Sequence, residues 1–178
     1  MWLMTKDAIL TKDNLIRRKW KGDPEYYFCK NPENISHLFF QCSVAKAVWA
    51  VIAKCFGANT IPKNLDQCWI WCEKWLPFGK KFHVCGVAAI CWAIWKARNR
   101  ACFEKVIIKN HLDIVYHACA LMKYWAGIFA EADKEQLEEG LNTMLEIANK
   151  ILKRQKKDMD TARQLHDGDQ DEQDNETA

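Results

Sequence analysis

The run Val84–Trp95, VCGVAAICWAIW, constrains this chain most. It is twelve residues long and apolar on every side of a helix. A membrane span needs about 20 such residues, and Lys81 and His83 before it, with Lys96 and Arg98 after it, bound the run tightly. The helix must therefore be buried by other elements of the same chain. This reading places a helix over about Lys80 to Glu104 at the centre of a bundle.

The remaining pattern is helical throughout. Leu10 to Trp20 reads as a short helix capped by Thr11, whose hydroxyl would accept from a free backbone N–H. The loop KGDPEYYFCKNPEN carries Gly22, Pro24 and Pro32, and Tyr26–Cys29 has a brief strand-like character. Helix signals resume at Ser36. A second cap signal, Ser43, opens a helix with apolar Val44, Val48, Val51, Ile52 and Cys55 at helical spacing, with Gly57 as its C-cap. Further helices are expected over Leu65–Leu76, Asn110–Ala130 and Ala132–Lys157, the last with Leu137, Leu141, Met144, Leu145, Ala148, Ile151 and Leu152 on one face. With nine tryptophans, the core should be rich in aromatics. The fold class is all-α: an irregular helical bundle with a small knuckle-like loop near the N-terminus.

Charge divides the chain. Residues 158–178 carry −7 and residues 1–157 carry +10, which together give the net +3. The acidic tail has almost nothing to bury and is expected to be disordered. A basic body is compatible with nucleic-acid contact, and equally with an ordinary solvated surface. The first segment, MWLMTKD, lacks the apolar run of a secretory signal. Nine cysteines, an odd number placed mostly in apolar helical stretches, then read as reduced, buried thiols of an intracellular protein of the nucleus or cytoplasm.

One group of residues carries chemistry. Cys29, His37 and Cys42 supply two thiolates and an imidazole within fourteen residues, the soft donors that zinc takes in a tetrahedron. A fourth ligand at the usual spacing would fall on Tyr26; Glu25, Asp23 or water are the alternatives, each making a weaker and more open site. In a cysteine-rich chain such a set also arises by chance. Cys68 and Cys72, four apart among Trp69, Trp71 and Trp75, read as core, and His83, His111 and His117 as solvated or core histidines. No glycine cluster cradles phosphate, and no paired aspartates stand in the body, so no enzymatic activity is expected.

Two basic groups remain. Arg17, Arg18, Lys19 and Lys21 surround Trp20 just before the knuckle. Such residues make salt-dependent phosphate contacts, and Trp20, Tyr26 or Tyr27 would stack on unpaired bases. A solvated helix end is the equal alternative. Lys96, Arg98 and Arg100 read instead as a favourable, solvated helix C-terminus.

The segment ILTKDNLIRRKWKGDPEYYFCKNPENISHLFFQCSVAKAVW resembles the zinc-binding region of plant non-LTR (LINE-type) retrotransposon reverse transcriptases. The matching positions are Thr11, Asp13, Leu15, Arg18, Cys29, Glu33, His37, Leu38, Phe39, Phe40, Cys42, Ala45 and Trp49. CWAIWKARNRACFEK is similar to the Trp-x-x-Trp-Lys-x-Arg-Asn-x-x-x-Phe stretch that follows in that family, and the resemblance runs from residue 2 to about 157. It implies a zinc-binding region over 1–57, a helical C-terminal segment over 58–157, and the acidic tail over 158–178. It implies zinc as the cofactor, with Cys29, His37 and Cys42 as ligands. The departure is Tyr26, which stands where the family's first cysteine belongs and implies weak or absent zinc affinity. The family's polymerase and endonuclease domains lie upstream of this region, so the resemblance implies a truncated, non-catalytic, retrotransposon-derived protein. Its expected partner is RNA or single-stranded DNA, with no small-molecule substrate and no membrane. The competing expectation is a ligand-free structural or protein-interaction relic.

Overall fold

The computed structural model of the chain describes the backbone of residues 1–176 and the side chains of residues 1–161 other than Phe78. Its helices are α1 (Trp2–Thr5), α2 (Lys12–Arg17), α3 (Ser43–Cys55), α4 (Leu65–Trp75), α5 (His83–Asn99), α6 (Leu112–Trp125) and α7 (Glu131–Glu176). Two π turns, His37–Gln41 and Arg100–Glu104, and two 3-10 turns, Pro77–Phe82 and Ala126–Ile128, complete them. Among the described residues there is no strand. The brief pairing expected at Tyr26–Cys29 is a single antiparallel bridge between Glu25 and Pro32. The all-α bundle is as expected.

Helix α5 is central, as its apolar run requires. It packs along α6 and against both π turns, while α6 packs on α7 and α3 lies against both. Val87, Ala89, Ile90, Cys91, Ala93 and Ile94 are buried. Burial is not uniform around the helix: Val84 and Trp92 remain 60% and 53% exposed, so the bundle leaves one flank of α5 open. The expected continuous helix over Lys80–Glu104 is divided. Pro77 opens a 3-10 turn before it, and a π turn ends it with Lys105 in the left-handed region (φ 59°). Among the described residues no helix is long and apolar enough to cross a membrane.

The aromatic core centres on Trp49. Its ring stacks on Phe40 at 5.7 Å and meets Trp71 edge-on at 6.1 Å. Both buried indoles satisfy their N–H groups, Trp49 donating to the Phe39 carbonyl (2.8 Å) and Trp71 to that of Thr60 (2.7 Å). A buried indole left unpaired would lose its hydration without return. All nine cysteines are free; Cys42, Cys68, Cys72, Cys91 and Cys119 are buried, whereas Cys29, Cys55, Cys85 and Cys102 are half-buried.

Helix ends follow local chemistry in part. Gly57 takes φ +65° and closes α3, with Ala58 N–H reaching the Ala53 carbonyl at 2.8 Å and Gly57 N–H that of Lys54. Asn64 caps α4 by accepting from Gln67 N–H. Thr11 does not cap α2 through its side chain: its hydroxyl donates to Asp13, and the Glu33 carboxylate accepts from Lys12 N–H at 3.0 Å instead. Helix α7 buries Leu137, Leu141, Met144 and Ala148, with Leu145, Ile151 and Leu152 partly buried on the same face. Its backbone is helical to Glu176, and residues 156–161 are exposed all round. A helix with no packed face is marginal. Disorder was expected over 158–178; the backbone described there is helical as far as Glu176, and the side chains from residue 162 onward lie outside those described.

Candidate metal centre

Three stretches of backbone bring Cys29, His37 and Cys42 together. The first is the tight loop from Glu25 to Pro32. Tyr26 N–H donates to the Asn31 carbonyl (2.6 Å), and Lys30 N–H returns to the Tyr26 carbonyl (2.9 Å). Lys30 takes a left-handed φ of 55° to make that turn, which presents Cys29 at its tip. The second is the π turn. Asn34 stands just before it, its side chain accepting from His37 N–H at 2.8 Å, and helical backbone begins at Ile35, one residue ahead of the start expected at Ser36. The turn closes with Cys42 N–H on the His37 carbonyl (2.8 Å), one residue wider than an α-helix. Side chains five apart on a regular helix point about 140° away from each other. The wider turn, followed by extended backbone at Cys42, returns Sγ to the imidazole.

The third stretch is the start of α3. Cys42, rather than Ser43, is its N-cap residue. Burial pushes the Cys42 thiol up, opposed by hydrogen bonds from the Val44 and Ala45 backbone. Those two donors would steady a thiolate there.

The ligand atoms of Cys29, His37 and Cys42 all lie within 4.8 Å of one another. Cys29 Sγ and His37 Nε2 are 3.0 Å apart, a thiol–imidazole hydrogen bond. Burial holds His37 below its ordinary value, which favours the neutral imidazole a metal requires. With Zn–S near 2.3 Å, sulfur ligands of a tetrahedral zinc stand about 3.8 Å apart, so small side-chain shifts would bring these donors onto an ion. The donor set fits zinc at three corners.

Tyr26 takes the fourth side. It is 99% buried, and its ring meets His37 edge to face at 5.5 Å and Phe28 at 5.4 Å. Burial, with Cys42 and Glu33 nearby, pushes its phenol far up, so it stays protonated and is a poor ligand. Glu25 and Asp23 are exposed and turned to other tasks: Glu25 pairs through backbone with Pro32, and Asp23 accepts from Glu25 N–H and faces Lys12 at 4.0 Å.

Two acid–base features escaped the sequence. Glu33 is buried and holds Arg98. Arg98 is therefore not a solvated helix end; burial of both groups and their mutual charge place it beneath the loop. The resemblance named Glu33, yet no local pattern marks its partner 65 residues away. The basic segment also changes. Arg17 is paired with Asp7 and Asp13, whereas Arg18, Lys19, Trp20 and Lys21 are exposed, and no ion pair engages those three cations among the described residues. Tyr26 is too buried to meet a base, while Tyr27 is exposed.

A family model described as zinc-binding in reverse transcriptase matches residues 1–49. That span contains all three donors, Tyr26 and Glu33, and it supports a retrotransposon reverse-transcriptase zinc-binding region there. No curated protein and no solved structure matches the chain.

Proposed function

We propose that this chain is a non-catalytic, retrotransposon-derived module of the LINE type. It holds zinc weakly at Cys29, His37 and Cys42 and contacts single-stranded nucleic acid through Arg18, Lys19, Trp20 and Lys21. The observation that carries the reading is the convergence of the three donors within 4.8 Å inside the family-matched region. Zinc there would tie the loop tip, the π turn and the start of α3 to one point. Tyr26 sets the strength, since a buried phenol replaces a thiolate and leaves three protein ligands in place of four.

Competition titration of the full chain against a chromophoric chelator tests the site. The expected result is one zinc per chain at micromolar affinity or weaker, abolished by Cys42→Ala. A submicromolar complex would remove the weak-site reading; no zinc at any concentration would remove the metal. Fluorescent single-stranded RNA at two salt concentrations tests the partner, and flat or absent binding at low salt overturns it.

A second reading has its own support. Cys29 and His37 satisfy each other in a hydrogen bond, and the buried Tyr26 ring packs against the imidazole. A ligand-free interaction module would show neither zinc nor RNA binding and an unchanged melting temperature in chelator.

A further inference from the structure

The knuckle loop and the end of α5 enclose a cleft of about 390 Å³, walled by Trp20, Tyr27 and Phe103. Small-ligand clefts run from about 300 to 1,000 Å³. The three rings are 42%, 40% and 75% exposed, and among the described residues none of them stacks on another. Each ring therefore keeps part of its surface open to solvent.

The backbone holds Trp20 outward. Helix α2 ends with Lys19 in the left-handed region (φ 69°), Lys19 N–H on the Ile16 carbonyl and Trp20 N–H on that of Leu15. This closure throws the chain sharply out of the helix. The indole then lies directly over Gly22, where an added Cβ would sit 1.8 Å from Trp20 Cζ2 and 1.9 Å from Cη2. Only glycine admits the ring in that place. On the far wall, Phe103 is backed by the Arg98 guanidinium, 5.9 Å from its ring centre. Arg98 is itself neutralised by Glu33, so it orders the ring without needing a ligand anion. Lys12 and Lys105 stand at the rim. Asp23 is there as well, with its carboxylate facing Lys12.

Exposed aromatic surface beside lysines, next to Arg18, Lys19 and Lys21, which no ion pair engages among the described residues, suits an unpaired base followed by its phosphates. We infer that this cleft is a stacking site for one base of a single-stranded nucleic acid, with Trp20 and Phe103 as its platforms. The inference rests on the nucleic-acid reading above and adds the place where the base sits. It also joins the two halves of the chain, since Phe103 lies outside the family-matched residues.

The test uses the full chain and a single-stranded RNA of about a dozen nucleotides carrying 2-aminopurine, titrated over a range of salt. Wild type should quench the 2-aminopurine. Trp20→Ala and Phe103→Ala should each remove quenching and weaken binding about ten-fold, with the salt slope unchanged. Gly22→Ala, which must displace the indole, should act like Trp20→Ala. Lys21→Ala should lower the slope by about 0.7 while quenching persists. Trp20 and Phe103 are exposed, so far-UV spectra should match wild type. Wild-type binding that neither ring variant alters would overturn the cleft and leave the nucleic-acid reading standing. No wild-type binding at low salt would overturn both.

Discussion

Glu33 and Arg98 form a two-pronged ion pair inside the protein, Arg98 Nε to Oε2 at 3.0 Å and Nη2 to Oε1 at 2.6 Å, with side chains 0% and 4% exposed. Glu33 Oε1 also accepts from Lys12 N–H at 3.0 Å, so one carboxylate closes the start of α2 and pins the knuckle loop to α5. The Arg98 guanidinium lies between Trp95 and Phe103, 5.1 and 5.9 Å from their ring centres. Through this pair the metal-type loop and the aromatic cleft share one support.

Removing one member leaves the other charged and buried. Glu33→Leu and Arg98→Met should each lower the unfolding free energy by about 3–5 kcal/mol. The double variant Glu33→Leu with Arg98→Met should cost less than the sum of its single changes, because no orphan charge remains. Urea unfolding of the four chains measures the coupling.

Tyr26→Cys should behave oppositely with and without zinc. Without metal, truncating this buried ring leaves a cavity and should cost about 3–5 kcal/mol. With zinc, the restored fourth thiolate should bind tightly, and binding to the folded state alone raises stability with ligand concentration. Melting curves of wild type and variant in chelator and in excess zinc should cross: the variant melts lower in chelator and higher in zinc.

Gly57→Ala isolates a backbone effect. An added Cβ there meets nothing within 4 Å, but the residue sits at φ +65°. The substitution should therefore destabilise by about 1 kcal/mol through strain alone. Gly57→Asn should cost less, since asparagine tolerates the left-handed region. Denaturant midpoints of the two variants decide the order.

His111 and His117 make stability depend on pH. Burial holds both below the ordinary value of 6.5, and Lys96 and Arg100 push His117 further down. The unfolded chain then takes up protons before the folded one does. Stability from these residues is full above about pH 6.5 and falls as pH is lowered toward their folded values. NMR titration of the two imidazoles should give midpoints below 6.5, and the urea midpoint should decline over that window. Midpoints at or above 6.5 would contradict the burial argument.

Much of this protein was legible in the chain itself. Helical periodicity marked α3 to α7; Gly57 announced the end of α3, and the spacing of Cys29, His37 and Cys42 announced the donor set. These are local signals, governed by 3.6-residue periodicity, by the φ available to glycine and by donor chemistry. The sequence also showed Tyr26 in a ligand's place. It did not show that the ring turns inward against His37.

What only the tertiary structure decided depends on groups far apart in the chain. Thr11 was expected to cap α2, yet Glu33 does so from 21 residues away. Arg98 has the look of a solvated helix end until Glu33 is packed against it. Phe103 joins Trp20 only because α5 runs beneath the knuckle. Burial sets the protonation and the strength of each such contact, and burial is a property of the packed whole. The sequence by itself determined which helices form and which donors are available; packing determined which of them meet, because no local pattern records the distance between residues 65 apart.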